Sequence, residues 1–273
     1  MSNPPKNKSD MIELDKIYNE DCLEGMKRIA DGAVDCIITD LPYGVLNKKS
    51  EGGSWDSIIP LEPMWEQFKR VTKPNAAIVL FCQGMFTAKL MMSQPKMWRY
   101  NLIWDKVRPT GFLNCNRMPM RQHEDIAVFY QELPTYNPQM VKGQRNHPRG
   151  FHNGTNSCYG KYTMGGEFER KKQAERKPSK YDDKYPISIM PFEKVNATDV
   201  DHPTQKPVDL LRYLILTYTN VGGVVLDATM GSGTTAVAAL MEKRHFIGFE
   251  TNKEYFDIAQ GRIDQVRRNP TLF

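Results

Sequence analysis

The sequence predicts an α/β protein with a doubly wound, mostly parallel sheet and a loop-rich insertion. Short apolar runs rich in β-branched residues alternate with segments of helical spacing over residues 11–130. The same alternation returns after residue 202, around a glycine-rich turn. Between these stretches the periodicity fades. Buried strands that are separated by helices form parallel sheets, because each helix carries the chain back to the same edge.

Five segments before residue 131 have the pattern of regular structure. VDCIIT (34–39) and AAIVLFC (76–82) are predicted strands, and EPMWEQFKRV (62–71) is a predicted helix between them. NLIWDK (101–106) and EDIAVFY (124–130) add two further strands. At 273 residues the chain is long enough for one large domain that carries an insertion.

The stretch 131–200 is rich in Gly, Pro, Asn, Lys and Tyr and is the predicted insertion. From Gln139 to Lys184 it has eleven Lys or Arg against five Asp or Glu, although the net charge of the whole chain is only +5. Basic residues interleaved with aromatic ones can neutralise phosphates and stack on bases, but a solvated loop region with its own small core fits the composition equally well. The candidate residues for binding nucleic acid are Lys142, Arg145, Arg149, Lys161, Lys171 and Lys172.

The cysteine and apolar patterns exclude several other classes. The five cysteines are widely spaced without a CxxC pair, which indicates reduced thiols. His147, His152 and Cys158 are close in sequence, but structural zinc needs four ligands, so no metal is predicted. No run approaches the roughly 20 apolar residues of a membrane span, and the N-terminus lacks a secretory pattern. These features predict a soluble, cytoplasmic protein.

The stretch VVLDATMGSGTTAVAAL has the pattern of a nucleoside-binding turn. A buried strand ends at Asp227, the chain turns through Gly231 and Gly233, and a helix begins near Thr234. Without a Cβ the backbone can approach a nucleotide-like ligand at the carboxyl end of a strand. A phosphate-binding P-loop requires a lysine after its last glycine, and no lysine follows Gly233. A nucleoside therefore fits this turn better than ATP.

Two further positions suggest binding and chemistry. Glu250 follows the apolar run FIGF, where an acid commonly accepts hydrogen bonds from ribose hydroxyls, although an acid after a strand can also be a helix cap. In IITDLPYG, Asp40 can accept a hydrogen bond from an exocyclic amine, and the carbonyls of Leu41 and Pro42 can accept another. Tyr43 offers a ring on which a planar base can stack.

Together these segments resemble the S-adenosylmethionine-dependent amino-methyltransferases of DNA, in the beta arrangement where the catalytic motif precedes the cofactor loop. The resemblance rests on DCLEGM, VDCIITDLPYG, HPTQKP, DATMGSGTT and GFE and covers most of the chain. It implies a circularly permuted, Rossmann-like methyltransferase fold. Residues 1–130 and 201–273 would form the catalytic domain, and 131–200 the target-recognition insertion.

The resemblance also implies the cofactor, the partner and the site residues. S-adenosylmethionine is the implied cofactor and double-stranded DNA the implied partner; a homodimer and a partner restriction nuclease are left open. The implied catalytic residues are Asp40, Leu41, Pro42 and Tyr43, which match the motif DPPY. The implied cofactor-binding residues are Asp21 for the adenine, Glu250 for the ribose, Thr204 and Lys206 near the methionine end, and Asp227, Gly231, Gly233, Thr234 and Thr235 in the loop.

Two departures from the family pattern bear on these roles. Leu41 stands where the motif has proline, at a position that acts through its backbone carbonyl. The cofactor loop has DATM where DPF is usual, which can change the affinity for the cofactor. Neither departure removes a side chain whose chemistry is essential.

The family serves two bases, and Asp40 favours one of them. An aspartate at this position is associated with adenine N6 and a serine with cytosine N4. We therefore expect methylation of adenine N6 in a base flipped out of the duplex. The alternatives are an N4-cytosine enzyme, a catalytically inactive DNA-binding relative and an RNA methyltransferase.

Overall fold

The computed structural model describes residues 12–44, 58–142, 183–195 and 205–269. The chain divides into two compact units, the larger formed by 1–137 with 187–273 and the smaller by 138–186. No helix in the described ranges is long and apolar enough to cross a membrane.

The larger unit contains an eight-stranded sheet flanked by helices. Its strands are β1 (Lys16–Tyr18), β2 (Val34–Asp40), β3 (Thr72–Cys82), β4 (Trp98–Thr110), β5 (Arg121–Phe129), β8 (Ile189–Pro191), β9 (Val224–Asp227) and β10 (His245–Phe249). Its helices are α1 (Cys22–Met26), α2 (Leu61–Val71), α3 (Met85–Ser93), α4 (Val208–Tyr218), α5 (Thr234–Met241) and α6 (Lys253–Arg268). The predicted strands and helices are all present, and most extend by a few residues.

The sheet is mostly parallel, in the order β1-β10-β9-β2-β3-β5-β4-β8. Only β5 runs against its neighbours, pairing antiparallel with β3 and with β4. A helix separates most consecutive strands, but β4 and β5 are joined by a short connection at residues 111–120, and such a connection can only return the chain as a hairpin. The fold is the predicted doubly wound α/β class.

Apolar side chains alternate between the two faces of the central strands. In β3, Ala77, Val79 and Phe81 face the cluster covered by α4, α5 and α6. Ile78 and Leu80 face the opposite cluster, which α1, α2 and α3 cover. Helices cover both faces of the central strands and exclude solvent from them. These strands are therefore continuous apolar runs rather than alternating ones.

The chain order places a crevice at the carboxyl ends of β2 and β9. From β2 the chain continues to β3 on one side, whereas from β9 it continues to β10 on the other. The two strands pair directly, with Ile37 opposite Leu226. Helices therefore leave in opposite directions at this point, which is where doubly wound sheets bind ligands.

The smaller unit lies within the predicted insertion. Its described part is a two-stranded antiparallel sheet of β6 (Val141–Lys142) and β7 (Asp183–Lys184). Within the predicted range 131–200, β8 belongs to the larger unit, because it pairs with β4. The role of the insertion in target recognition stays a prediction.

Candidate active site

A cavity of about 530 Å³ lies at the carboxyl ends of β2, β9 and β10. That volume is in the range of pockets that hold small organic ligands. Most of the residues predicted for catalysis and for the cofactor line it together. These are Asp21, Asp40, Leu41, Pro42, Tyr43, Lys206, Asp227, Gly231, Thr234, Thr235 and Glu250.

The glycine-rich turn between β9 and α5 has the backbone that its sequence predicts. Gly231 has φ 54° and Gly233 has φ 80°, both in the left-handed region that disfavours residues with a Cβ. A Cβ on Gly233 would also lie 2.9 Å from the Cβ of Ala259 in α6. Two constraints therefore favour glycine at 233, and α5 begins directly after it with Thr234.

Asp227, at the end of β9, is a buried carboxylate held by its own loop. The Thr235 hydroxyl donates to its Oδ2 at 2.6 Å, and the backbone N–H of Thr229 donates to its Oδ1 at 3.0 Å. Burial raises the pKa of Asp227 to about 6, against these hydrogen bonds, which lower it. The carboxylate thus ties the turn to the first residues of α5.

Glu250, after β10, holds the same turn from the other side. Its Oε2 accepts from the N–H of Gly231 at 2.8 Å, and its Oε1 accepts from the N–H of Asn252 at 2.8 Å. Burial raises the pKa of Glu250, although backbone N–H groups oppose the shift. A carboxylate has about four acceptor positions, so Glu250 can still accept from ribose hydroxyls in the cavity.

Asp21 caps a short helix and also lines the cavity. Its Oδ1 accepts from the N–H groups of Leu23 at 2.8 Å and Glu24 at 3.3 Å, at the start of α1. Its predicted contact with the cofactor adenine stays a prediction. Thr204 lies outside the described residues.

Asp40 is the last residue of β2, and both of its carboxylate oxygens are engaged. The Tyr43 hydroxyl donates to Oδ1 at 2.6 Å, and the Lys206 ammonium donates to Oδ2. The hydroxyl of Thr229 donates to the Asp40 carbonyl at 2.9 Å and lies 2.7 Å from the hydroxyl of Thr39. Thr229 therefore links the predicted catalytic motif to the predicted cofactor loop.

Lys206 is part of a largely buried set of four charges, in which Asp40 is the most exposed at 24%. Its Nζ pairs with Asp40 and lies 3.4 Å from Oε2 of Glu124, in β5. The other Glu124 oxygen pairs with Lys106 of β4. The side chains of Lys106, Glu124 and Lys206 are 8%, 12% and 10% exposed. Two carboxylates and two ammonium groups balance, which is what permits charge in a poorly solvated place.

The electrostatics of this set keep Lys206 cationic. Burial lowers the pKa of Lys206, but Asp40 and Glu124 outweigh burial and raise it above the ordinary value. For Glu124, burial raises the pKa and the two lysines outweigh it, so the net shift is downward. The ammonium of Lys206 also lies 5.0 Å from the ring centroid of Phe81 and 5.9 Å from that of Trp104, where a π face stabilises a cation.

Tyr43 is positioned by more than its hydrogen bond to Asp40. Its ring lies 5.3 Å from the ring of Phe86, tilted by 35°. Burial, followed by the charges of Asp40 and Glu124, raises the pKa of Tyr43 well above its ordinary value. The phenol therefore stays protonated and donates a hydrogen bond to Asp40. Its predicted role as a stacking surface for a base stays a prediction.

Five of the six predicted DNA-binding residues lie outside the described residues: Arg145, Arg149, Lys161, Lys171 and Lys172. Lys142 is in β6 of the smaller unit.

No metal site was predicted at His147, His152 and Cys158, and these residues also lie outside the described residues. Within the described ranges no cluster of His, Cys, Asp and Glu could hold a metal ion.

Sequence reasoning missed several residues of the site, among them Glu124, Lys106, Thr229 and Gln205. Lys106 lies in β4 and Glu124 in β5, and the acid at the start of the apolar run EDIAVFY was the one available signal. Thr229 lies in the DATM departure of the loop, and nothing in its sequence context indicates a hydrogen bond to Asp40.

The cavity fits a nucleoside-containing cofactor on the structure's own terms. Carboxylates of Asp21 and Glu250 line one part of it, and the glycine turn lets the backbone come close. Gln205 adds a buried Oε1 that has no hydrogen-bond donor among the described residues, which leaves an acceptor for a ligand. The hydrogen-bonded carboxylate of Asp40 lines the same cavity.

Fold and site together define a doubly wound α/β protein whose nucleoside pocket opens onto a carboxylate at a strand end. The chain belongs to the N6_N4_Mtase family, DNA methylase, whose pattern matches residues 34–261. It is a DNA methyltransferase of that family.

Known proteins resemble the chain along most of its length. The Type II methyltransferase M.BglII of Bacillus subtilis is 28% identical over 281 residues, which is 95% of this chain and 72% of that protein. The crystal structure of the M1.HpyAVI-SAM complex has a TM-score of 0.57 and 22% identity, covering 91% of this chain and 98% of that one. The PvuII DNA methyltransferase (cytosine-N4-specific) has a TM-score of 0.62 and 14% identity, covering 94% and 92%. These two structures share the fold.

Proposed function

We propose that this protein transfers the methyl group of S-adenosylmethionine to the exocyclic N6 of adenine in double-stranded DNA. The observation that carries the proposal is the position of Asp40, which lines the nucleoside pocket. Its backbone carbonyl accepts a hydrogen bond from Thr229, in the loop that shapes the pocket. An aspartate at this position supports adenine over cytosine, in line with the resemblance to the amino-methyltransferases.

The cofactor end of the site positions the methyl donor. Glu250 would accept hydrogen bonds from the ribose hydroxyls and Asp21 would lie toward the adenine, since both line the cavity. The turn through Gly231 and Gly233 would let the ligand approach the backbone. When bound, S-adenosylmethionine supplies an electrophilic methyl group and a neutral thioether as leaving group. The chain contributes position and electrostatics, since no residue needs to form a covalent bond to substrate.

The catalytic end activates a poor nucleophile. The lone pair of the adenine amino nitrogen is delocalised into the ring. When Asp40 and the carbonyl of Leu41 accept hydrogen bonds from its two protons, the nitrogen becomes more pyramidal and its lone pair is directed toward the methyl group. Asp40 already accepts from Tyr43 and Lys206, but a carboxylate has acceptor positions left for a third donor.

Lys206 and Glu124 hold Asp40 in the orientation that this step requires. Lys206 remains cationic and fixes Oδ2, while Glu124 balances the charge of Lys206 from behind. The predicted contact of Lys206 with the methionine end of the cofactor is compatible with this position, because Lys206 lines the same cavity.

The substrate base must leave the duplex, because N6 is not accessible to such a pocket within a stacked helix. The ring of Tyr43 is the proposed stacking partner for the flipped adenine. Because the proposed substrate is DNA, a cytoplasmic location stays the expectation. Cytosine N4 is the alternative base, since it also presents two donor protons. The homodimer and the partner restriction nuclease stay predictions.

Methyl transfer from radiolabelled S-adenosylmethionine tests the proposal. The purified protein is expected to label unmethylated duplex DNA, and unlabelled duplex DNA is expected to compete better than RNA. Labelling of RNA in preference to DNA would contradict the substrate. A folded protein that binds the cofactor and DNA yet labels neither nucleic acid would identify the inactive DNA-binding relative instead.

A further inference from the structure

The hairpin formed by β4 and β5 extends beyond the edge of the sheet at which the active site lies. Glu124 lines the cavity opposite Trp104, and the strands continue from this pair to Thr110 opposite Arg121. At about 3.3 Å per residue, the three residues from Glu124 to Arg121 carry the hairpin about 10 Å past the cavity. Its tip, residues 111–120, reaches further.

The tip presents large apolar side chains to solvent. Phe112 is 74% exposed and Leu113 is 97% exposed, and every residue from 111 to 123 is exposed. Met118 and Met120 are exposed as well. Four large apolar side chains within nine residues at a loop tip mark an interaction surface rather than scattered surface apolarity.

The tip is an ordered turn. Gly111 has φ 91°, and a single 3-10 turn follows at Phe112–Asn114. The N–H of Cys115 donates to the Phe112 carbonyl at 3.0 Å, and the N–H of Arg117 donates to the Asn114 carbonyl at 2.8 Å. Backbone hydrogen bonds therefore hold the two most exposed apolar residues in a fixed turn.

The charged residues of the tip segment itself are all arginines. From Val107 to Gln122 the sequence has three arginines, Arg108, Arg117 and Arg121, and no acid. Arg108 pairs with Glu193, while Arg117 and Arg121 are exposed. Arginines flanking an exposed apolar tip match the way proteins hold phosphates while an apolar side chain enters between base pairs.

We propose that this hairpin, Thr110–Arg121, is a DNA wedge: Phe112 and Leu113 enter the duplex beside the target base and occupy the space that the flipped base leaves, while Arg117 and Arg121 hold the adjacent phosphates. The inference rests on the proposed function, because it requires duplex DNA at the mouth of the active site. Filling the gap with apolar surface offsets the stacking that is lost in the extruded state.

A second copy of this chain is a poorer occupant. A two-fold contact between hairpins would bring the arginines of one tip toward those of the other, since the same patch is used on both copies. No acid between Val107 and Gln122 would compensate that repulsion. Phosphates supply the opposite charge.

The test compares two duplexes that differ only at the target base. The recognition sequence is first identified from the methylated positions in DNA of an expressing host. One duplex then has the target base normally paired, and the other has a mismatch opposite it, which lowers the cost of flipping. The variant is Phe112→Ala with Leu113→Ala. The matched control is Leu133→Ala, because Leu133 is 80% exposed and follows the opposite end of β5.

We expect the double variant to lose at least about tenfold in kcat/KM on the paired duplex and less than about threefold on the mismatched one. Leu133→Ala should leave both values unchanged. Replacing Arg117 and Arg121 by Gln should reduce the salt dependence of DNA binding by about one unit for each lost phosphate contact.

An equal loss on both duplexes, or no loss, would overturn the wedge. So would a wild-type dimer that the double variant converts to a monomer in sedimentation, since the tip would then be a contact between copies. Failure of the proposed function gives a different result, because the DNA of the expressing host would then have no methylated position. Fluorescence anisotropy on a duplex of arbitrary sequence would still decide whether the tip contributes to DNA binding.

Discussion

Asp40 accepts two donors that differ in character, and this difference shapes its chemistry. Tyr43 donates from a neutral phenol and Lys206 from an ammonium. Neither can be a proton acceptor for the reaction while it donates. The remaining lone pairs of Asp40 are therefore the acceptor groups available to the exocyclic amine of the proposed substrate base.

Glu124 allows a test of how the buried charges are balanced. Glu124→Gln leaves Lys106 and Lys206 with one carboxylate between them, so we expect the free energy of unfolding to fall by about 3 kcal/mol. The turnover number should fall as well, because Glu124 would no longer help to fix the ammonium of Lys206 beside Asp40. Urea denaturation and steady-state kinetics measure the two effects.

A matched control separates charge balance from packing. Lys106→Met with Glu124→Gln removes one charge of each sign, so the double variant should recover part of the stability lost in Glu124→Gln. Losses that simply add in the double variant would show that the two side chains are not coupled.

The pKa of Asp227 predicts a pH dependence of stability. It is about 6 in the folded protein and about 3.8 when unfolded, so between these values the folded state binds the extra proton. The contribution of this group to stability is present below about pH 3.8 and is lost as the pH rises through 6. The loss lowers the free energy of unfolding by about 3 kcal/mol in total. Asp227→Asn should remove this component.

The free energy of unfolding should therefore fall less for Asp227→Asn than for the wild type between pH 4 and pH 7. Urea denaturation at several pH values measures it. The same pH dependence in both proteins would contradict the burial of an ionisable Asp227.

At the residue scale the sequence predicted positions better than partners. Asp40 and Asp227 end strands and Glu250 follows one. Because the carboxyl ends of neighbouring parallel strands meet at one edge, their shared cavity followed from the pattern. The pairing of Lys206 with Asp40 spans 166 positions in the chain. No local pattern encodes such a contact.

At the scale of elements, the turn before α5 depends on Gly233. Alanine there would have to adopt φ near 80° and place its Cβ 2.9 Å from that of Ala259. We expect Gly233→Ala to lower the free energy of unfolding by about 2 kcal/mol and to weaken cofactor binding. Gly261→Ala, in α6, is the control, since its Cβ would meet nothing within 4 Å.

The control should gain about 0.5–1 kcal/mol, because alanine is favoured over glycine inside a helix. Thermal unfolding and cofactor titration measure both variants. Equal stability of Gly233→Ala and the wild type would contradict the geometry of the turn.

The elements themselves were largely predictable, and their pairing was not. Runs such as AAIVLFC are apolar throughout because both faces of β3 are covered, and this marked them as buried strands. The antiparallel direction of β5 was not predicted, although the short connection after β4 explains it. The parallel addition of β8 beside β4 joins residues far apart in a stretch without periodicity, so the sequence offered no sign of it.

At the scale of the whole molecule, ligand binding should stabilise the larger unit. The cavity joins β2, β9 and β10 with the turn before α5. S-adenosylmethionine at 100 times its Kd is expected to add about 2.7 kcal/mol to the free energy of unfolding, seen as a higher Tm. Glu250→Ala should lose most of this gain at the same concentration, because it removes the proposed ribose acceptor and the bond to Gly231. An undiminished Tm rise in Glu250→Ala would argue against that role.

The central claim is that Asp40 directs methylation to adenine N6. The most direct test is nucleoside mass spectrometry of DNA from a methylation-deficient host that expresses the protein, beside the same host expressing Asp40→Ala. We expect N6-methyladenine with the wild type and none with Asp40→Ala, whose cofactor binding should be nearly unchanged. N4-methylcytosine in the wild-type sample, or N6-methyladenine in both samples, would contradict the account.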